Sequence, residues 1–321
     1  MQGESDRPTD AAAASPTAAA TAAAVPDETP RDVDVELLDR APRVAAAFAT
    51  GVATGWRRPG ARGTLPARRL VLPGVHQDVS RLAEFCSVTG GLLGDTVPAT
   101  WLHVLTFPLQ VRLMAAKDFP FPMLGMVHVG NRMTVHRPVR VREELTLSVR
   151  AKHLAPHRKG STVDLVGEVR VADELVWEGR STYLVRGDTP PGAPAPVEEG
   201  APATEPEPGR QLALWRLPAD LGRSYARVAG DANPIHLSAL SAKAFGFPRA
   251  IAHGMWTHAR VLAAVQPRLP RRYTVSAAFA KPILLPSTVV LRTGAQDLGD
   301  LTVTDRKGSR THVSMQVSPL G

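Results

Sequence analysis

The chain has one cysteine, few aromatic residues (5%) and no apolar run of about eighteen residues. A single thiol excludes an intramolecular disulfide and a thiolate metal site, so Cys86 is expected to be a small buried apolar side chain. Without a long apolar run we expect no membrane-spanning helix. The N-terminus also lacks the basic start and apolar core of a secretion signal, so we expect a cytoplasmic protein.

Charge is unevenly distributed along the chain, whose formal net charge is +8. Residues 1–34 hold seven acidic and two basic residues, which leaves 36 basic and 23 acidic residues for the remainder. A basic body attracts nucleic acid, an acidic membrane, an acidic carrier protein or a phosphorylated cofactor. Clusters of Lys and Arg interleaved with aromatic residues are lacking, so nucleic acid is not an expected partner.

The 321 residues suffice for two domains. Residues 1–34 form an Ala- and Pro-rich tail of low complexity that we predict to be disordered. Residues 188–209 contain seven prolines and five acidic residues, which is typical of a stiff linker. The predicted domains are therefore 35–187 and 210–321. Apolar residues at loosely helical spacing suggest a helix over 35–55.

The two halves resemble each other. EFCSVTGG (84–91) and SYARVAGD (224–231) each place a glycine-containing turn after an aromatic residue. An apolar helical segment follows in each half, and then an extended run that passes a basic residue and a proline, at 133–150 and at 274–292. Alternating segments come next, and 301–317 carries a hairpin turn, DRKG. This order predicts an α+β fold with a sheet wrapped on a helix, formed by a diverged duplication.

The segment from Tyr225 to Met255 contains the residues that indicate chemistry. Asp231 stands five residues before His236, with the turn pair Asn233-Pro234 between them. Such a turn can hold a carboxylate and an imidazole side by side at one pocket. An acid and a base so placed indicate proton transfer. The alternative is a capping aspartate and a structural histidine.

The segment 250–265 is predicted to be a mostly apolar, buried helix. Its start at His253-Gly254 exposes backbone N–H groups and the positive end of the helix dipole. Gly254 would let a ligand oxygen approach the backbone, which suits a developing enolate. His253 and His258 do not suggest zinc, because five helical positions point them apart and no carboxylate or thiolate accompanies them.

This segment resembles the signature of the MaoC-like (R)-specific enoyl-thioester hydratases, the hydratase-2 group of the hotdog fold. The matching residues are Gly230, Asp231, Asn233, Pro234, Ile235, His236, His253, Gly254 and Met255. FAKPILLP (279–286) resembles the strand that follows the central helix in that family. Residues 70–321 resemble the actinobacterial double-hotdog 3-hydroxyacyl-thioester dehydratases. The resemblance implies a double hotdog of two antiparallel sheets, each wrapped on a central helix.

The resemblance also implies a reaction, the reversible dehydration of (3R)-hydroxyacyl thioesters to trans-2-enoyl thioesters in fatty acid metabolism, and specifically in chain elongation. By carry-over, Asp231 and His236 hold the reacting water and transfer protons, with the choice of which one protonates C2 left open. The Gly254 N–H binds the thioester oxygen, and Asn233 and His253 belong to the substrate-binding set. No metal or separate cofactor is implied, because coenzyme A or phosphopantetheine is part of the substrate.

Basic residues near the motif are candidates for binding the carrier. Lys281 either contacts a phosphate of coenzyme A or of the carrier arm, or is a solvated strand edge. Arg249, Arg271 and Arg272 form a loose basic set around the helix ends that could receive an acidic acyl carrier protein. An acyl-CoA or an acyl carrier protein thioester is therefore the expected partner. Both a monomer and a homodimer fit the sequence.

The first half departs from the motif. Aligning Gly90 with Gly230 places Gly91 where Asp231 stands and Thr96 where His236 stands, and Asp95 has no histidine partner at that spacing. We therefore predict a catalytically silent half whose groove holds the acyl chain. Candidate groove residues, for which core packing is the alternative, are Leu92, Leu93, Leu102, Leu105 and Leu109.

Two other functions fit the same fold. One is a non-catalytic subunit that binds acyl thioesters, although an intact Asp231–His236 pair argues against it. The other is a hotdog thioesterase, against which the full GDxNPxH motif counts.

Overall fold

The computed structural model describes residues 34–44, 58–187, 189 and 209–321. The predicted tail lies outside the described residues except for Asp34, and so does the predicted linker except for Thr189 and Gly209. The predicted helix over 35–55 is wrong at its start, because Val35–Leu37 form a strand. Residues 45–57 lie outside the described part.

In the part of the chain that the structure describes, each half contains a long central helix and a run of strands, with one short α-helix before the central helix in the first half and three in the second. The first half comprises β1 (Val35–Leu37), β2 (Arg69–Val75), α1 (Val79–Thr89), α2 (Ala99–Ala115), β3 (Val127–Val135), β4 (Leu145–His157), β5 (Gly160–Val171) and β6 (Glu174–Arg186). The second comprises β7 (Arg210–Leu217), α3 (Leu221–Ala229), α4 (Pro234–Leu237), α5 (Ala239–Ala244), α6 (Gly254–Val265), β8 (Tyr273–Phe279), β9 (Ser287–Thr293), β10 (Leu301–Asp305) and β11 (Thr311–Pro319).

The strands of both halves belong to one sheet. Its order within the described residues is β1-β2-β4-β5-β6-β3-β8-β11-β10-β9-β7. The halves meet where β3 pairs antiparallel with β8, from Gly130 opposite Ala278 to Val135 opposite Tyr273. The predicted α+β double hotdog is confirmed, and the two sheets expected from the sequence are joined edge to edge at this pair.

The duplication is visible in matching backbone contacts. Thr96 forms an isolated bridge with Arg140, and Ile251 forms the same kind of bridge with Leu284. Each bridge joins the segment before a central helix to the loop that follows the strand at the centre of the sheet. Thr96 and Ile251 are therefore structural equivalents.

This equivalence corrects the alignment made from sequence. Gly90 and Gly230 do correspond, since each ends a helix in the left-handed conformation, with φ of +69° and +80°. Thr96 follows Gly90 by six positions, whereas Ile251 follows Gly230 by 21. Thr96 therefore does not stand where His236 stands. His236 lies on an inserted segment, α4–α5, that the first half lacks.

The central helices α2 and α6 are largely buried against the sheet. Both carry the sequence Trp-x-His near their start, at Trp101 and Trp256, a repeat that the sequence analysis did not identify. The Nε1 of Trp256 donates to the carbonyl of Val88 at 2.9 Å, which ties α6 to α1. Cys86 is buried, as predicted.

The leucines proposed for an acyl groove divide into two groups. Leu102 and Leu109 are buried in the core and Leu105 packs against it, whereas Leu92 is 78% exposed and Leu93 is 49% exposed. Core packing is thus the observed role of the helical leucines. Within the described ranges no helix is both long and apolar enough to cross a membrane.

Candidate active site

The turn between α3 and α4 is built from the Gly-Asp-x-Asn-Pro sequence. Gly230 ends α3, and an Asp231 Oδ1 accepts a hydrogen bond from the Asn233 N–H at 3.2 Å. The Asn233 side chain then caps α4 by accepting from the Ile235 N–H at 3.3 Å, with Pro234 in the first helical position. This succession of side-chain caps forms one turn of helix, which brings the next side chain back toward Asp231.

His236 is oriented by the backbone of the segment that precedes α6. Its Nδ1 donates to the carbonyl of Ile251 at 2.8 Å, which leaves the lone pair of Nε2 free. The residue is only 8% exposed. Burial lowers the pKa of His236 below its ordinary value, although the charge of Asp231 and the bond to Ile251 oppose this shift. His236 is thus a neutral imidazole with one nitrogen available to accept a proton.

His253 connects the start of α6 to the same turn. Its ring stacks on that of His236 with centroids 3.6 Å apart. Its Nε2 donates to the backbone carbonyl of Asp231 at 3.0 Å. Burial first, and then the neighbouring His236, holds the pKa of His253 well below its usual range. Neutral His253 therefore acts as a brace between Asp231 and His236, and the centroid of the Tyr225 ring lies 4.9 Å from that of His253.

The predicted acid and base are brought together. A carboxylate oxygen of Asp231 and one ring nitrogen each of His236 and His253 all lie within 4.8 Å of one another. The expectation that no carboxylate accompanies His253 is therefore wrong. The two rings are nearly parallel, at 25°, so their in-plane lone pairs do not converge as a tetrahedral metal site needs.

Gly254 begins α6, as predicted. Within the described residues its N–H has no acceptor, as expected at a helix N-terminus. The glycine is explained by packing, because a Cβ there would lie 3.0 Å from the ring of Phe279. The absent side chain therefore leaves room for the ring of Phe279.

The basic residues are further from the pair and do not form one set. Arg249 and Lys281 are exposed, and Nη1 of Arg249 donates to the carbonyl of Pro286 at 3.3 Å. Arg271 and Arg272 precede β8, at the end of that strand opposite Phe279. A seven-residue strand is about 23 Å long, so these arginines lie away from Arg249.

Two residues that support the site were not identified from the sequence. A Cβ on Gly222, inside α3, would lie 1.9 Å from the carbonyl oxygen of His236. Nη1 of the neighbouring Arg223 donates to the carbonyl of Leu237 at 3.0 Å. Together they hold α4 against α3. The only sequence signal was a glycine within a helical pattern.

Two surface cavities of about 560 and 840 Å³ lie away from the pair. The first is lined by residues such as Arg40 and Arg112, and the second by Leu93, Arg140 and Arg271 among others. Neither cavity is lined by Asp231 or His236.

The sequence and the fold were compared with those of known proteins. Residues 198–316 match the family model described as MaoC like domain. The chain is 39% identical over 258 residues to 3-hydroxyacyl-thioester dehydratase X of Mycobacterium tuberculosis, covering 80% of this chain and 91% of the relative. The crystal structure of HtdX from that organism superposes with a TM-score of 0.69 at 36% identity, covering 79% of this chain and 100% of that one. A MaoC-like dehydratase from Phytophthora capsici shares the fold, with a TM-score of 0.64 at 15% identity over 81% of this chain and 97% of that one.

Proposed function

The chain belongs to the family of MaoC-like dehydratases, and on that premise we propose that it catalyses the reversible dehydration of (3R)-hydroxyacyl thioesters to trans-2-enoyl thioesters. One observation carries the proposal. A neutral His236 with a free Nε2 lies beside the carboxylate of Asp231, next to the helix start whose first N–H is Gly254. The reaction belongs to fatty acid metabolism, and chain elongation is the setting that we propose.

The chemistry needs one anion site and two proton transfers. The N–H of Gly254, at the positive end of α6, donates to the thioester oxygen as negative charge develops there. One member of the Asp231–His236 pair removes the proton from C2, and the pair passes that same proton to the departing C3 hydroxyl, which leaves as water. In hydration the same steps run backward, and the net proton count on the enzyme is unchanged.

The surrounding residues have supporting roles in this proposal. Asn233 caps α4 and so positions His236, while His253 braces the pair through the Asp231 carbonyl. Exposed Arg249 and Lys281 flank the segments that frame α6 and are offered as contacts for the phosphates of coenzyme A or a carrier arm. The first half lacks the inserted segment and is catalytically silent. The substrate supplies the coenzyme A or phosphopantetheine, and no metal is required.

The test follows the absorbance of the conjugated enoyl thioester as water adds to it, starting with crotonyl-CoA. Asp231→Asn and His236→Ala are each expected to lower kcat/KM by about 10²-fold or more, because each removes a proton-transfer group. Asp95→Asn in the silent half and His76→Ala on the surface are matched controls that should retain activity.

Two further measurements complete the test: the stereochemistry of the product alcohol and the release of the coenzyme A thiol. Chiral analysis of the product should give the 3R alcohol, with the thioester intact. Release of free coenzyme A thiol would identify a thioesterase instead. Full activity in both pair variants would remove Asp231 and His236 from the mechanism.

A further inference from the structure

The inner face of α2 carries a row of polar side chains in the interior of the silent half. His103, Thr106 and Gln110 lie at positions i, i+3 and i+7, which share one face of a helix. They are 4%, 0% and 1% exposed. We refer to these three residues as the polar stripe. Such a face is expected to be apolar when it packs on a sheet.

Several polar atoms in and around the polar stripe have no partner among the described residues. They are Nδ1 of His103, Oε1 of Gln110, Nε2 of His128, Oδ1 of Asn131 and both ring nitrogens of His258. Buried polar atoms are almost always hydrogen-bonded, because leaving them desolvated without a partner is costly. A set of six such atoms in one region indicates a site that is completed by something the protein binds.

The duplication supplies an internal comparison. Trp101 and Trp256 mark equivalent positions in α2 and α6, so His103 corresponds to His258. By the same count Thr106 and Gln110 correspond to Val261 and Val265. The active half therefore fills these two positions with valine. The fold does not require polar residues there, so their presence in the silent half points to a ligand.

A continuous series of aromatic rings connects the polar stripe to the active site. Phe279 packs on Gly254, and the ring of His128 lies 5.1 Å from that of Phe279. The ring of His128 is 4.7 Å from Tyr183 and 6.3 Å from His103. These side chains lead from the proposed thioester oxygen site at Gly254 into the silent half. Burial and the neighbouring His103 lower the pKa of His128, and the negative charge of Asp231 partly opposes that shift.

We propose that the polar stripe, with His128 and His258, binds a hydroxyl or carbonyl group carried by the acyl chain several carbons beyond C3. The substrate class is then an oxygenated acyl thioester rather than a plain alkyl one. The inference rests on the proposed function, because it takes an acyl thioester as the occupant. Amide, hydroxyl and imidazole groups together can accept from and donate to one oxygen function. A site built to hydrogen-bond a substrate hydroxyl discriminates against the analogue that lacks it.

Binding of unreactive ligands tests the proposal independently of catalysis. Saturated acyl-CoA thioesters from hexanoyl to dodecanoyl are compared by calorimetry with partners that bear one hydroxyl on the carbon next to the terminal methyl. We expect the hydroxylated ligand to bind about tenfold more tightly at one or two lengths, as one hydrogen bond of ordinary strength gives. Gln110→Met should bring that ratio close to one, and the surface variant Gln211→Met should leave it unchanged.

A second variant keeps the proposal testable if Gln110→Met does not fold. Thr106→Val installs the residue that the active half carries at the equivalent position, and we expect it to reduce the ratio in a folded protein. Equal affinity for both ligands at every length in the wild type would overturn the proposal, since water alone would then satisfy the buried atoms. A ratio unchanged in both variants would overturn it as well.

Turnover of crotonyl-CoA separates the two proposals. Normal turnover, together with equal affinities for the plain and the hydroxylated acyl-CoA ligands, would contradict the oxygenated-chain inference and leave the dehydratase proposal intact. A clear preference for the hydroxylated ligand without turnover of any enoyl thioester would support the binding inference and contradict the dehydratase proposal.

Discussion

The α-carbon of Gly222 lies directly against the carbonyl oxygen of His236. A methyl group added at Gly222 would meet that oxygen at 1.9 Å and the adjoining carbonyl carbon at 2.9 Å. Backbone cannot rotate away as the end of a long side chain can. The absence of a side chain at Gly222 therefore fixes how closely α4, and with it the imidazole of His236, approaches α3.

Gly222→Ala is expected to impair catalysis with less effect on the fold. The methyl must push α4 outward, and a displacement of about 1 Å at a catalytic group can lower the rate by about 10²-fold. Steady-state hydration of crotonyl-CoA measures the effect, with circular dichroism to confirm folding. Gly94→Ala is the matched control, because a methyl at Gly94 meets nothing within 4 Å. A variant with wild-type activity would contradict the close contact.

The pH dependence of the activity should follow the protonation of His236. Burial lowers its pKa below 6.5, while the Asp231 charge opposes the shift. In the proposed mechanism the neutral form of His236 accepts a proton, so activity should persist as pH falls through 6.5 and decline only at lower pH. In Asp231→Asn the pKa of His236 should fall further, because an attractive negative charge has been removed. NMR titration of the His236 ring measures its pKa in the wild type and in the variant. A higher pKa in Asp231→Asn than in the wild type would contradict this electrostatic account.

The sequence predicted well what local patterns determine. Asp231, Asn233 and His236 were identified from their spacing, and the start of α6 at Gly254 follows from a helical run behind a glycine. The role of Gly222 could not be predicted, because its contact with His236 arises from packing between two helices. The pairing of β3 with β8 is likewise a tertiary event between strand edges far apart in the chain.

One error of alignment has a physical cause. Gly90 and Gly230 both end a helix, and counting onward from them assumes that the following turns are equally long. The segment after Gly230 contains two extra short helices, α4 and α5, and the first of them carries His236. The matching bridges of Thr96 and Ile251 reveal the insertion. Loop length varies while the core elements are retained, so equal spacing across a loop is weak evidence of equivalence.

Acid should destabilise the protein through its buried histidines. Burial lowers the pKa of His103 and of His258 to about 3. Between about pH 3 and 6.5 the unfolded chain binds more protons than the folded one. The contribution of these histidines to the free energy of unfolding is therefore fully present above pH 6.5 and is lost as the pH falls below it. Each such histidine contributes a slope of about 1.4 kcal/mol per pH unit within that window.

Urea unfolding from pH 7 to pH 4 measures this slope, and His258→Leu should flatten it. Exposed His76→Leu is the control and should leave it unchanged. A slope equal in wild type and His258→Leu would show that His258 is not held neutral by the fold.

Gly254→Ala tests the packing at the start of α6. The added methyl would lie 3.0 to 3.1 Å from three ring carbons of Phe279, closer than normal contact. Forcing a methyl into a packed core costs typically about 1–3 kcal/mol, so the variant should unfold at lower urea. Catalysis should also fall, because the N–H that we propose to bind the thioester oxygen moves with the backbone. Adding Phe279→Leu relieves the clash and should restore most of the stability. If the double variant is no more stable than Gly254→Ala, the strain does not come from Phe279, and the account of why glycine stands at this position is wrong.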